Sequence, residues 1–190
     1  MKRYVQSMML IIVLPLYAVY WLLAKCCEQD SLWQTFMQFL SLLPGKVGSY
    51  LRVAFARLTM NYCDPDVFLG FGVVFSHCDT DINCGTYIGP QCNIGKCSIG
   101  RNTLLGSGVH VLSGKRQHDF SDPTIPIKDQ GGVFEKIVIG NNCWVGNHAV
   151  IMASVGDNSI VAAGAVVTDT VPEGVIVGGN PAKMLKKVGE

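Results

Sequence analysis

Charge is scarce in this sequence. Lys, Arg, Asp and Glu make up 15% of the residues, the formal net charge is +1 and no basic stripe stands out, so nucleic acid is not expected as a partner. Between Tyr4 and Ala24 there is no charged residue at all. The eight cysteines contain no CxxC pair, and Cys26 and Cys27 are adjacent, which supports neither a zinc ribbon nor a disulfide framework. The four histidines, His77, His110, His118 and His148, lack the close spacing that metal ligands converging between subunits would need, so no metal is expected. Also missing is the period-two alternation of an ordinary sandwich of short strands.

What is present is a period of six. Ile82, Ile88 and Ile94 set it; after a short step come Ile99, Leu105 and Val111. After a break follow Ile139, Val145 and Ile151, then Val155, Val161 and Val167. Two residues before each stands a small or β-branched residue: Thr80, Thr86, Cys92, Cys97, Thr103, Val109, Ile137, Cys143, Ala149, Ala153, Ser159 and Ala165. Glycine recurs one residue after, as at Gly89, Gly95, Gly100 and Gly146. A hexapeptide period predicts a parallel β-helix: each hexad gives one short strand and one turn, with the aliphatic residue and its small partner pointing inward. Cys92, Cys97 and Cys143 fall on the small inward position and there act as small hydrophobes. Unpaired thiols point to a reducing cytosol.

The uncharged run from Tyr4 to Ala24 is 21 residues, preceded by Lys2 and Arg3 and followed by Lys25. That is about the length needed to cross a hydrocarbon core of ~30 Å. A secretory signal is disfavoured because no small-x-small cleavage site follows. Positive-inside logic keeps Lys2 and Arg3 in the cytoplasm, and Pro15 is expected to kink or break the helix. The next apolar stretch, Leu32 to Leu43, is too short for a comfortable span and reads as a helix at the membrane surface, ended by Pro44-Gly45. A third helix, from about Val47 to Thr59, carries Arg52 and Arg57. Two readings stand side by side for it: the arginines meet lipid phosphates, or the helix packs on the end of the β-helix with its charges in water. The expected organisation is a membrane-associated helical region over residues 1–60 and a β-helical domain over 61–190.

The hexads stop at Val111 and resume near Ile137, separated by an irregular insertion from Ser113 to Lys136. A long insertion in a regular scaffold is usually functional. This one, the protruding loop 113–136, holds His118, followed by Asp119 and Asp122. An imidazole there is suited to taking a proton from a hydroxyl.

The segment IVIGNNCWVGNHAVI, from Ile137 to Ile151, and the run from Gly156 to Lys187, GDNSIVAAGAVVTDTVPEGVIVGGNPAKMLKK, together with GVHV at Gly108 to Val111, resemble the hexapeptide-repeat acyltransferases of the maltose and galactoside acetyltransferase type. The resemblance covers roughly Val73 to Lys187 and implies a mainly β fold, a left-handed parallel β-helix, assembled as a homotrimer with acyl-CoA lying between neighbouring subunits. It implies acetyl-CoA as acyl donor and His118 as the general base, with His110 in the family's GVHI position and not the base. Residue by residue it matches Trp144, Asn147, Ala163, Thr168, Lys183 and Lys186 to donor-binding positions. Asn83 and Asn93 are candidates for the substrate-binding asparagine, because the repeat shortens between Ile94 and Ile99. The family's lysine after the threonine is Asp169 here, which removes one expected phosphate contact. SLLPGKVGSYLR, from Ser41 to Arg52, is similar to the start of membrane-associated acyltransferases of surface-polysaccharide pathways.

The expected activity is therefore acyl transfer, most simply acetyl, to a sugar hydroxyl by direct attack on the thioester, since no side chain offers a convincing covalent nucleophile. Transfer to the amine of an amino sugar is the alternative within the family. A non-catalytic trimeric scaffold at a membrane is the alternative outside it, and predicts no saturable binding of acetyl-CoA. The expected partners are two further copies of the chain, membrane lipid, and a sugar or lipid-linked sugar such as an undecaprenyl-linked glycan. The expected location is the cytoplasmic face of the cell (inner) membrane, with a re-entrant or monotopic N-terminal helix.

Overall fold

The computed structural model describes residues 2–190, with side chains from Tyr4 onward. The side chains of Lys2 and Arg3, on which the charge-bias argument rests, lie outside the described residues. Three helices come first: α1 (Lys2–Leu23), α2 (Gln29–Ser41) and α3 (Gly45–Thr59). From Tyr62 onward the chain winds through short strands that form three parallel sheets, one per face of a prism.

Face one stacks Tyr62–Cys63, Asp81–Ile82, Cys97–Ile99 and Ile137–Ile139, and continues through single bridges to Val155 and Val171. Face two stacks Phe68–Leu69, Tyr87–Ile88, Leu104–Leu105, Trp144–Val145, Ile160–Val161 and Val175–Gly179, and ends in the antiparallel strand Ala182–Lys187. Face three stacks Val74–Phe75, Asn93–Ile94, His110–Val111, Val150–Ile151 and Val166–Val167. Like residues sit on like: Leu69, Ile88, Leu105, Val145, Val161 and Val177 form one inward column. The hexad positions from Ile82 to Val167 are all buried, and so are their small partners except Ala153.

The structure adds a coil that the hexad count did not reach. Cys63, Leu69 and Phe75 are also six apart and form the first turn of the solenoid. Such a turn presents an open edge, whose downward-pointing backbone groups need partners. The helices supply them. The Leu69 N–H donates to Ser49 Oγ (3.1 Å), and the Leu69 carbonyl accepts from Arg52 Nε (3.2 Å) and Nη2 (2.9 Å). Gly72 N donates to the Ser41 carbonyl, and Gln34 Nε2 to the Ser76 carbonyl. Trp33 and Phe75 meet edge to face at 5.6 Å beneath the same turn.

Arg52 is wholly buried. Its Nη1 also donates to the carbonyls of Leu40 (3.0 Å) and Leu43 (2.8 Å), closing the C-terminal end of α2. Burial lowers its pKa to about 10, which leaves it charged at neutral pH. The expectation that Arg52 meets lipid phosphates is thus corrected. A guanidinium out of reach of solvent, with four of its five N–H donors on carbonyls, is turned into the protein and not toward lipid. Gly48 permits this geometry, since a Cβ there would stand 2.0 Å from the Leu43 carbonyl oxygen.

Pro15 does not break α1, which runs unbroken from Lys2 to Leu23. One stripe of α1 is packed: Met9 and Val13 against Ala54 of α3, and Tyr20 edge-on to Phe36 and Phe55 at 5.6 Å each. Gln6 Nε2 donates to the Pro65 carbonyl at 2.6 Å. The rest, including Tyr4, Met8, Ile11, Ile12, Val19, Trp21 and Leu22, is exposed. Among the described residues, one helix, Tyr4–Leu23, is long and apolar enough to cross a membrane.

Candidate active site

The insertion leaves the solenoid after Val111 on face three and returns at Ile137 on face one, so it stands on the corner between those faces. Its stem is a short ribbon. Glu135 N donates to the Ser113 carbonyl (2.9 Å), Val133 N to Arg116 (2.7 Å), and Asp119 N to Gly131 (2.9 Å). Arg116 and Glu135 pair across it. At the root, Lys136 Nζ lies 2.7 Å from both Asp79 Oδ1 and Asp81 Oδ2, and Lys96 Nζ lies 2.9 Å from Asp79 Oδ2. Hydrogen bonds from Lys136, then from Lys96, hold the Asp79 carboxyl below its ordinary pKa.

His118 sits on this ribbon, exposed, with neither ring nitrogen hydrogen-bonded among the described residues. Asp119 does not orient it: Asp119 Oδ1 accepts instead from Phe120 N (2.8 Å) and Ser121 N (3.2 Å), as in an Asx turn. Asp122 likewise turns to Thr124. The strand opposite His118 is glycine by necessity, because a Cβ on Gly132 would stand 2.0 Å from the Gln117 carbonyl oxygen and 2.8 Å from His118 N.

Below the ribbon, a cleft of about 150 Å³ is lined by Ser76, Asn93, His110, Ser113 and Gln117. Asn93 and His110 are register neighbours on face three, both exposed. Asn83 lies elsewhere, past the end of face one on the corner toward face two, with its Nδ2 donating to the Ile99 carbonyl at 2.9 Å. Of the two asparagines, only Asn93 shares a cleft with the root of the histidine loop.

Three of the six donor-binding candidates, Trp144, Asn147 and Ala163, gather at a second corner, between faces two and three. A groove of about 490 Å³ is lined by Trp144, Gly146, Asn147, Ile160, Ala162 and Ala163. Trp144 is 55% exposed and stacked in register between Leu104 and Ile160. Asn147 Oδ1 accepts from Ser107 N at 3.0 Å, which leaves its amide NH₂ to face outward. The Ala163 N–H has no acceptor among the described residues, and its methyl side chain leaves the backbone open to a ligand. Thr168 is on the other corner, beside the loop, with its hydroxyl 3.2 Å from Asp169 Oδ2. Asp169 in turn pairs with Lys115 of the loop at 3.1 Å, a hydrogen bond that lowers its pKa. Lys183 and Lys186 lie on the final strand, opposite Gly178 and Ile176, both exposed; the Lys186 ammonium donates to the Glu190 carbonyl.

Sequence reasoning passed over Gln117, Ser76 and Lys115. The signal for Gln117 and Lys115 was available, since both lie in the insertion beside His118. Ser76 carries no local signature, because the coil that places it lay outside the counted hexads.

A family model described as the hexapeptide repeat of succinyl-transferase matches residues 136–169. Among curated proteins, the chain is 30% identical over 125 residues to a putative lipopolysaccharide biosynthesis O-acetyl transferase, WbbJ, of Escherichia coli K12, covering 62% of each. It is 26% identical over 152 residues to the galactoside O-acetyltransferase of the same organism, covering 75% of this chain and 68% of that one. The chain thus spans less than two thirds of the first relative and little more of the second. Among solved structures it resembles a maltose O-acetyltransferase from Clostridium difficile 630, with a TM-score of 0.63 at 20% identity over 89% of both chains. A galactoside acetyltransferase in complex with coenzyme A follows the same fold, with a TM-score of 0.56 at 21% identity over 86% of this chain and 84% of that one. In repeat, fold and relatives, this chain is similar to the hexapeptide-repeat acyltransferases.

Proposed function

We propose that the protein transfers an acetyl group from acetyl-CoA to a sugar hydroxyl, as part of a homotrimer seated on the cytoplasmic face of the membrane. The observation that carries this reading is the placement of two half-sites. The His118 ribbon stands at one edge of face three, and the groove of Trp144, Asn147 and Ala163 stands at the other. One chain therefore offers a base without a donor groove beside it, and a donor groove without a base. Side-by-side packing of parallel solenoids brings the ribbon of one subunit to the groove of the next. The relative whose structure contains coenzyme A has the same fold, which supports CoA as the groove's ligand.

In this arrangement pantetheine lies along the groove. Its amides meet the free Ala163 N–H and the Asn147 amide, and Lys183 and Lys186 face its phosphates as point charges. His118 takes the proton from the acceptor hydroxyl as that oxygen attacks the thioester carbonyl. The C–O bond forms, the C–S bond breaks, and the imidazolium returns its proton to the departing thiolate. The products are an acetylated sugar and free CoA. Asn93 and His110, in the cleft under the ribbon, are placed to hold the acceptor.

The helical cap supports membrane attachment of a monotopic kind. Helix α1 is held near both ends, by Gln6 on Pro65 and by Tyr20 between Phe36 and Phe55, so it lies against the base of the solenoid rather than projecting from it. Its exposed apolar side is then the part that enters the lipid. Both α1 and the CoA site stay on one side of the membrane in this arrangement. An acceptor carried on a lipid suits such a site, and the similarity to a lipopolysaccharide-pathway relative favours it.

The test is donor-dependent release of free CoA with candidate lipid-linked and free sugars. His118→Ala is expected to abolish release with the circular dichroism spectrum unchanged. Mixing His118→Ala subunits with Lys183→Ala subunits is expected to restore part of the activity, because some sites then combine an intact loop with an intact groove. Full activity of His118→Ala would refute the assignment.

A further inference from the structure

A third cavity lies away from both half-sites, where the first turn of α3 meets the first two coils at the corner between faces one and two. It has a volume of about 260 Å³ and is lined by Lys46, Ser49, Tyr50, Phe68, Thr86 and Tyr87, together with Asp66. One wall is a pair of stacked aromatic rings. Phe68 and Tyr87 are register neighbours on face two, with ring centroids 4.8 Å apart and planes 3° apart, so each ring covers part of one face of the other. Three donors stand round this pair, beside the Asp66 carboxylate: the Lys46 ammonium and the hydroxyls of Tyr50 and Tyr87. None of the three has a hydrogen-bond or ion-pair partner among the described residues.

An apolar aromatic wall accepts the C–H groups of a sugar ring; Asp66 is itself partnered, and the unpaired donors with a lysine call for an acceptor-rich, anionic substituent. The volume lies below the ~300–1,000 Å³ of pockets for drug-sized ligands. It therefore suits a single sugar ring with one charged group.

We propose that this cavity binds a glycosyl phosphate, with the sugar ring packed against the Phe68–Tyr87 pair and the phosphate held by Lys46 and the two phenols. It is a non-catalytic subsite, distinct from the His118 ribbon, and it rests on the reading above that the protein acts on sugars. The same headgroup chemistry occurs free in solution and on a lipid, and the experiment separates the two sources.

Binding of α-D-glucose 1-phosphate to the full-length protein in detergent is measured by isothermal calorimetry, with glucose and inorganic phosphate as half-ligands. The proposal expects saturable binding of the sugar phosphate, about tenfold weaker in Lys46→Gln and in Tyr87→Ala. Tyr87→Phe, which keeps the aromatic pair, is expected to lose only a few-fold. His118→Ala is expected to bind as the wild type does while failing in transfer, so failure of the catalytic reading and failure of this one give different results. In the second arm, phosphatidylcholine vesicles carrying polyprenyl-phosphoglucose are co-sedimented with the protein. Displacement by free glucose 1-phosphate, lost in Lys46→Gln, assigns the lipid-borne source; binding of the free sugar phosphate with no effect of the vesicle lipid assigns the soluble one. No saturable binding, or binding indifferent to both Lys46→Gln and Tyr87→Ala, overturns the proposal, as does inorganic phosphate binding as tightly as the sugar phosphate.

Discussion

Replacing Arg52 by Met removes the one side chain that ties α2, α3 and the first coil together. Methionine keeps the packing volume but offers no donor. The Leu69 carbonyl then stays buried without a partner and the half-buried Leu43 carbonyl loses its own, while the Leu40 carbonyl keeps the Leu43 N–H. Each orphaned carbonyl costs about 1–3 kcal/mol, which gives roughly 2–6 kcal/mol for the pair. That brackets the ~3–5 kcal/mol typical of removing one partner from a buried charged contact. In a chain of this length each kcal/mol shifts the melting midpoint by about 2–4 °C, so the expected fall is roughly 6–20 °C. Thermal unfolding followed by circular dichroism in detergent measures it. Hydrogen exchange should show the loss beginning at the first coil, because solenoid repeats lean only on their neighbours. Vesicle binding should be unchanged at temperatures where the protein is folded. A midpoint within ~2 °C of wild type, with vesicle binding weakened, would show that Arg52 faces lipid and that the burial argument is wrong.

Three further outcomes are expected. Gly132→Ala pushes a methyl group into the Gln117 carbonyl and shifts the ribbon under His118; with His118 as the proposed base, a displacement of ~1 Å is expected to lower kcat by up to about 100-fold, while the melting midpoint moves little. Under native conditions an aqueous thiol reagent should label Cys26, Cys27 and Cys84 and spare Cys63 and Cys97, whose thiols burial pushes up to about 12; mass spectrometry before and after denaturation reads this directly, and early labelling of Cys97 would contradict the inward hexad position. Asp79 has a folded pKa below its unfolded value, so its contribution to stability is fully present above the ordinary carboxylate value of about 3.9 and is lost as the pH falls through the folded one. Protease nicking of the loop should accordingly rise on acidification below that value, and less so in Asp79→Asn, which has already lost the ion pairs.

The sequence alone determined the solenoid. A residue every six positions is a local rule, set by the length of one strand and one turn, and no distant contact can disguise it. That is why the inward columns, the buried cysteines and the position of the inserted loop were all legible before any coordinates. The first coil escaped because Cys63 and Phe75, on either side of Leu69, are not the branched aliphatics that mark the later turns. Arg52 and Pro15 were beyond local rules altogether. An arginine on an amphipathic helix looks the same whether it meets phosphate or carbonyl oxygen, and only the packing of α3 under an open β-edge decided between them. A proline in the middle of an apolar run signals a break, yet α1 continues through it, packed on either side of that point by Val13 and Tyr20. The site divides in the same way. His118 could be picked out by its place in the insertion, and Trp144, Asn147 and Ala163 by resemblance. Their separation across face three, and the pairing of Lys115 with the unexpected Asp169, follow from how the coils stack. A period fixes which way each side chain points; only tertiary structure decides which corners of the prism face one another.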